Sequence, residues 1–196
     1  MKMNSIKPIE TIYNGYRFRS RLEARWAVLL DALGARWEYE PEGFDLGNGL
    51  KYLPDFCVKN VYIKTITGKP VKLYVEVKGE LSDIDEDKIS RFSGSVEEDG
   101  MYENPILVVG EIPAGDDVYD LLIDMDCKYK MDDFNSIFFS FSYIMGDYYN
   151  ALLGVGEKNE IVVFGGDYVD VVDHERTINA YKKARQARFE HGEHGV

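Results

Sequence analysis

The clearest structural signal in this chain is the heptapeptide Lys72-Leu73-Tyr74-Val75-Glu76-Val77-Lys78. Apolar and polar residues alternate through it without a break, which predicts a β-strand whose leucine and valine side chains face a core. Glu76 and Lys78 would share the other face, because residues two positions apart on a strand point the same way. Gly79 follows and is expected to end the strand.

The only Pro-Asp pair of the sequence, Pro54-Asp55, lies upstream of this strand. Residues 50–58 predict another strand, which Pro54 interrupts because proline lacks the N–H that a sheet ladder requires. If the two strands are neighbours, Asp55 and Glu76 can share a divalent cation, since Mg²⁺ is commonly bound by one or two carboxylates. The backbone carbonyl of Val77 is a candidate third ligand.

Lys78 completes an acid-x-lysine element with Glu76 and would lie close enough to neutralise a phosphate or to orient a water. The element alone is weakly specific, because segments 86–88 and 126–128 also place an acidic residue two positions before a lysine. The alternative is that Glu76 and Lys78 are solvent-facing residues of a half-exposed strand. A single Pro-Asp pair combined with this element in the most strictly alternating strand favours the site of a metal-dependent phosphodiesterase.

The remaining elements surround these two strands. Residues 13–16 predict a type I′ hairpin turn, and a helix is expected from the cap Ser20 to Gly34. Further segments predict a strand at 37–40, a helix at 83–92, strands at 105–109, 137–141 and 161–164, and a helix at 176–190. Up to residue 110 the order is one helix, three strands, one helix and one strand. This order predicts an α/β sandwich around a mixed sheet.

Glu23, at the start of the first predicted helix, has two interpretations. In the structural one it belongs to a capping box, in which its carboxylate accepts the backbone N–H of Ser20. In the functional one it points toward the metal site and holds a water bound to the cation. The residues alone favour the cap.

Composition limits the class of protein. The chain has 196 residues, 45% of them hydrophobic, which suffices for one domain, or one domain with an appendage. No apolar run approaches the about 18 residues of a membrane helix, and the N-terminus lacks the apolar region of a signal peptide. Cys57 and Cys127 do not form a CxxC pair, which favours reduced thiols in the cytoplasm over a structural zinc site.

The net charge of −12 opposes nucleic-acid binding, because phosphate contacts require lysine and arginine. The charge is unevenly distributed, however. Residues 1–30 carry six basic side chains against two acidic ones, whereas residues 80–135 carry 17 acidic side chains against four basic ones. The candidate phosphate contacts are Arg17, Arg19, Arg21, Lys182, Lys183, Arg185 and Arg188. The alternative is that both basic clusters are ordinary solvated helix faces.

Four segments in this order resemble the PD-(D/E)XK nuclease superfamily, which has the restriction-endonuclease-like fold. They are 16–27 (YRFRSRLEARWA), 37–44 (WEYEPEGF), 52–56 (YLPDF) and 75–79 (VEVKG). The likeness is strongest to small members encoded by phages and mobile elements. It implies an α-β-β-β-α-β core with a mixed central sheet over residues 1–110. Residues 111–196 would form a C-terminal α+β extension, with an acidic and aromatic region and a basic terminal helix, packed on the core.

The resemblance also implies roles for the site residues. Asp55 and Glu76 would bind Mg²⁺ or Mn²⁺ together with Val77, Lys78 would be the catalytic lysine, and Glu23 a supporting acid. The expected function is a cytoplasmic metal-dependent endonuclease that hydrolyses duplex or branched DNA, with a homodimer as a candidate assembly.

Two alternatives to an autonomous nuclease remain open. The chain could be a catalytically idle nuclease-fold protein whose acidic 80–135 region binds a basic host protein, as a DNA mimic or anti-defence factor. It could also be a nuclease subunit that cuts only inside a complex. An intact Asp55, Glu76 and Lys78 set favours an enzyme.

Overall fold

The structure is a computed structural model that describes residues 9–63, 69–80, 85–95, 102–116, 118, 140–143, 148–164 and 172–189. Within these ranges the fold is α/β, with three helices packed around a mixed sheet, which confirms the predicted class. None of the described helices is both long and apolar enough to cross a membrane.

Three helices and twelve strands make up the described chain. The helices are α1 (Arg21–Leu33), α2 (Glu86–Ser93) and α3 (His174–Gln186). The strands are β1 (Thr11–Tyr13), β2 (Tyr16–Phe18), β3 (Arg36–Tyr39), β4 (Phe44–Asp45), β5 (Lys51–Tyr52), β6 (Phe56–Ile63), β7 (Pro70–Val77), β8 (Ile106–Val109), β9 (Ser140–Tyr143), β10 (Tyr148–Asn150), β11 (Leu152–Val155) and β12 (Ile161–Phe164).

The main sheet has the strand order β10-β9-β8-β7-β6-β12-β11, and β3 also pairs with β6. Strand β6 is antiparallel to β7, while β7 and β8 are parallel, so the sheet is mixed. The first half of β6 pairs with β3 and its second half with β12, on either side of an irregularity between Val58 and Val61. Strands from both sides of residue 110 therefore belong to one sheet.

The alternation in β7 places its side chains on two differently covered faces. Leu73 and Val75 are fully buried in the larger core, which α1 and α3 help to build. Tyr74 belongs to a second cluster on the opposite face, together with Phe92 of α2. The second face is thus not left to solvent, and Glu76 is only 6% exposed. The interpretation of Glu76 as a solvent-facing residue is wrong.

Predicted turns and caps near the N-terminus are confirmed. Asn14 and Gly15 have φ values of 48° and 82°, and a type I′ turn requires positive φ at both positions. The Ser20 hydroxyl accepts the Glu23 N–H over 3.1 Å, so Ser20 caps α1. Gly34 ends the helix with φ 78°.

Some predicted boundaries are wrong. Helix α3 runs over His174–Gln186 and not over 176–190, because Asp173 accepts the Arg176 N–H over 3.0 Å and begins the helix earlier. Ala187 then leaves the helix with ψ 126°. Helix α2 likewise begins at Glu86, after the capping residue Asp85. Of the strand predicted at 137–141, residues 137–139 lie outside the described residues.

Trp26 connects α1 to the segment after β8. Its ring is fully buried, and its indole N–H donates to the carbonyl of Gly110 over 2.7 Å. Trp26→Phe should lower the free energy of unfolding by about 1–3 kcal/mol through the unsatisfied buried carbonyl alone. Trp37→Phe is the matched control, since the Trp37 N–H donates to the partly buried Asp31. Equal losses in urea denaturation of the two variants would contradict this role for Trp26.

Candidate active site

The register of β6 and β7 brings two acidic residues together. Phe56 pairs with Val75 in this antiparallel ladder, so continuing the register by one residue places Asp55 opposite Glu76. Residues directly opposite each other on antiparallel strands point to the same face. Asp55 is 3% exposed and Glu76 6%, which makes them a pair of buried carboxylates at the end of two neighbouring strands.

Asp55 is held by backbone as well as side-chain partners. Its Oδ2 accepts the Val77 N–H over 2.7 Å. Its backbone carbonyl accepts the Glu40 N–H over 2.9 Å. Its Oδ1 pairs with the guanidinium of Arg19. The carboxylate is therefore fixed in position beside the backbone of Val77, the predicted third ligand.

Glu76 is held by two side chains. Lys78 places its Nζ 2.7 Å from Oε1, and the Tyr52 hydroxyl donates to Oε2 over 2.7 Å. The Lys78 side chain is 27% exposed, so it lies between the buried acid and solvent. Tyr52 is a site residue that the sequence reasoning missed. It comes from the β4–β5 hairpin, which packs over α2 through Tyr52 and Phe92, and no spacing in the chain predicts that contact.

The electrostatics of the pair are unfavourable to two negative charges. Burial, followed by the charge of the neighbouring Glu76, raises the pKa of Asp55 to about 7, against the opposing effects of the Val77 N–H and Arg19. Burial also raises the pKa of the Tyr52 hydroxyl, and Glu76 adds to the effect, so Tyr52 stays protonated as a donor. A divalent cation would reduce this repulsion, as Arg19 at Asp55 and Lys78 at Glu76 already do in part.

Glu23 lies near this pair and contacts groups around the start of α1, as the structural interpretation requires, while its role toward a metal site stays a prediction. Its Oε1 accepts the Ser20 hydroxyl over 2.9 Å, as in a cap. Its Oε2 accepts the Tyr39 hydroxyl over 2.6 Å and the backbone N–H of Arg19 over 3.1 Å. The capping box predicted that the Ser20 N–H donates to this carboxylate. In the structure the N–H of Arg19, one residue earlier in the chain, donates instead. Through Arg19, Glu23 is linked to Asp55.

The predicted phosphate contacts lie in different places. Arg19 is at the carboxylate pair, whereas Arg17 is an exposed hairpin residue paired with Glu10 over 3.2 Å. Arg21 is the first residue of α1 and is partly buried. The four predicted contacts of the C-terminal part are exposed: Lys182, Lys183, Arg185 and Arg188. They lie on or just after α3, whose Arg185 donates to the carbonyl of Ile112 over 2.5 Å.

The donor set fits a hard divalent cation with two protein carboxylates. No group of three or more histidine, cysteine, aspartate or glutamate side chains within the described residues is arranged to hold a metal ion. Mg²⁺ nevertheless is commonly bound by one or two carboxylates, with water and substrate oxygens completing its shell. Asp55 and Glu76 supply that number, and a cation would relieve their mutual repulsion in a buried position.

Comparison with known proteins gives no relative: no family model, no curated protein and no solved structure matches this chain. The likeness to PD-(D/E)XK nucleases therefore stays a prediction from sequence motifs. Any assignment of function depends on the chemistry of Asp55, Glu76 and their neighbours.

Proposed function

We propose that this chain is a Mg²⁺- or Mn²⁺-dependent endonuclease that hydrolyses DNA phosphodiester bonds, built on a restriction-endonuclease-like core and encoded by a phage or mobile element. One observation carries the proposal: Asp55 and Glu76 are buried opposite each other at the ends of adjacent strands, with Lys78 on Glu76. Apart from the short β4–β5 hairpin, the order from α1 onward is α1, β3, β6, β7, α2, β8. This order supports the proposal, since the proposed family has one helix, three strands, one helix and one strand.

The residues of the site have separable tasks in this proposal. A divalent cation bound by Asp55 and Glu76 would supply Lewis-acid chemistry, lowering the pKa of a water and stabilising charge on the scissile phosphate. Lys78, partly exposed beside Glu76, can donate to a phosphate oxygen or orient the attacking water. Tyr52 fixes the carboxylate of Glu76. Glu23 holds the backbone of Arg19 at the edge of the site.

DNA would approach over exposed basic residues. Arg17 on the hairpin and the basic residues of α3 and its end are exposed, as phosphate contacts must be. These contacts would give binding that weakens with salt. The total charge of −12 does not prevent this, because so much of the acidity is concentrated in residues 80–135. A homodimer would have two cation sites, one for each strand of a DNA duplex.

The test combines metal binding with cleavage. Calorimetry with Mn²⁺ should show binding by the wild-type chain and loss of binding by Glu76→Ala. The same samples, incubated with plasmid and with four-way junction DNA, should cut in Mn²⁺ or Mg²⁺ and not in EDTA. Binding and cleavage both absent would reject the proposal.

The high acidity favours a second candidate, an idle nuclease-fold protein that binds a basic host protein through the 80–135 region. Much of that region lies outside the described residues, so the observation in favour of this candidate is the charge of the region. This candidate predicts neither Mn²⁺ binding nor cleavage, together with competition against DNA for a basic DNA-binding protein.

Tyr52→Phe tests the support of Glu76. Removing the hydroxyl leaves Oε2 without this donor while the ring stays packed on Phe92. Mn²⁺ affinity should fall by about tenfold, because partners that orient a ligand commonly contribute tenfold or more. Tyr74→Phe is the matched control, a buried tyrosine whose ring contacts the same Phe92. Unchanged affinity in Tyr52→Phe would show that Glu76 is oriented without it.

A further inference from the structure

Arg19 is surrounded by three carboxylates at the edge of the site. Its guanidinium pairs with Asp55 through Nη2, and its Nε lies 3.1 Å from Oε1 of Glu40 and 3.9 Å from Oε2 of Glu23. These ion pairs raise the pKa of Arg19 despite its partial burial, so it remains a cation. The positive charge at Asp55 is thus supplied by the chain itself.

The two ends of this ion pair differ in their freedom to move. Asp55 has 4% of its side chain exposed and is anchored by the Val77 N–H, whereas the Arg19 side chain is 58% exposed. The Arg19 backbone is fixed, since its N–H donates to Glu23 over 3.1 Å. A buried carboxylate with a solvent-exposed partner can exchange that partner without movement of the sheet.

Glu40 provides a second place for the guanidinium. It adopts φ 44°, a left-handed conformation that is unfavourable for glutamate, and its N–H donates to the carbonyl of Asp55. Such strain is kept where the surrounding structure requires the conformation. Here the Glu40 carboxylate lies 3.1 Å from Nε of Arg19, a different nitrogen from the Nη2 that pairs with Asp55.

We propose that Arg19 is an internal counterion that occupies the place of the divalent cation at Asp55 and so lowers the cation affinity of the free protein. The inference rests on the proposed function, in which Asp55 binds a divalent cation. Two positive charges at one carboxylate oxygen repel each other, so Arg19 leaves Asp55 when a cation binds there. Its Nε stays with Glu40, which keeps the guanidinium at the edge of the site.

A consequence is coupling between substrate and cation. An anion that attracts the guanidinium, such as a substrate phosphate, frees Asp55 and raises its affinity for the cation. Linkage requires the reverse as well, so that the cation strengthens binding of the anion. The ordinary alternative is that Arg19 and Asp55 form only a structural ion pair, in which case removing the charge destabilises the fold without strengthening cation binding.

The experiment is Mn²⁺ calorimetry at about pH 8 on Arg19→Gln, Arg19→Lys and wild type. Arg19→Gln should bind Mn²⁺ about tenfold more tightly than wild type, and Arg19→Lys, which keeps the charge, should stay close to wild type. Arg36→Gln is the matched control, because it removes an equal charge from an exposed residue of β3 and should not alter the affinity. Affinity of Arg19→Gln equal to or weaker than wild type would overturn the inference.

Two further readouts keep the outcomes distinct. If Arg19→Gln is unfolded in EDTA, titration with Mn²⁺ followed by circular dichroism should refold it, and failure to refold would count against the inference. Cleavage of plasmid DNA is measured separately. Tighter Mn²⁺ binding without cleavage by any variant would support the counterion and reject the nuclease. Cleavage by wild type, with unchanged Mn²⁺ affinity in Arg19→Gln, would support the nuclease and reject the counterion.

Discussion

Glu76→Gln, Asp55→Ala and Lys78→Ala should each lower the rate of cation-dependent DNA cleavage by about 10²–10³-fold or more, the loss typical of removing one group that stabilises developing charge. The glutamine keeps the shape of Glu76 and a carbonyl oxygen that can accept the Tyr52 hydroxyl. It removes the charge that pairs with Lys78 and that would bind the cation. Glu76→Gln should therefore impair the chemical step and cation binding without impairing folding.

Matched controls distinguish the loss of a site residue from a general change in charge. Lys72 lies on the same face of β7 as Lys78 and is exposed, so Lys72→Ala should leave cleavage near the wild-type rate. Glu38→Gln removes an acid from the exposed side of β3, where it pairs with Lys59. The measurement is single-turnover cleavage of plasmid DNA in Mn²⁺. If all three site variants cut as well as wild type, Asp55, Glu76 and Lys78 are not the catalytic residues.

The parts of the fold that the sequence predicts well are those determined by local periodicity. The alternation of 72–78 predicted β7 and its two faces, and the spacing of leucines from Ser20 to Gly34 predicted α1. Pairing of β6 with β7, which brings Asp55 to Glu76, was only a hypothesis. It depends on the antiparallel register, which a sequence pattern of single strands does not contain.

The residues that sequence reasoning missed all act across large separations in the chain. Tyr52 reaches Glu76 from the β4–β5 hairpin, and Glu40 reaches Arg19 by a positive φ after β3. Arg19 itself was predicted from its charge as a phosphate contact, whereas in the structure it neutralises Asp55. Each of these contacts is set by tertiary packing, and the β4–β5 hairpin that carries Tyr52 was itself not predicted. The sequence therefore predicted that Asp55 and Glu76 can lie together, but not which groups hold them.

The stability of the cation-free protein should fall between about pH 4 and pH 8 in a way that depends on Asp55. Its folded-state pKa is raised from 3.8 to about 7, mainly by burial, so the folded protein keeps this proton where the unfolded chain has lost it. The stabilisation is fully present below the unfolded pKa and is lost as pH rises through the folded pKa. The free energy of unfolding should drop by up to roughly 4 kcal/mol over that window.

Asp55→Asn cannot lose this proton, so its stability in EDTA should be nearly independent of pH over the same window, apart from groups that both proteins share. The comparison uses the slopes of urea-derived free energies against pH, because the asparagine also loses the ion pair with Arg19 and the absolute values differ. Mn²⁺ at about pH 8 should restore the stability of wild type but not of Asp55→Asn, since a bound cation favours the ionised carboxylate and only wild type has one. Equal pH slopes for the two proteins in EDTA would mean that Asp55 is ionised without strain, and the buried pair would then need no cation to be stable.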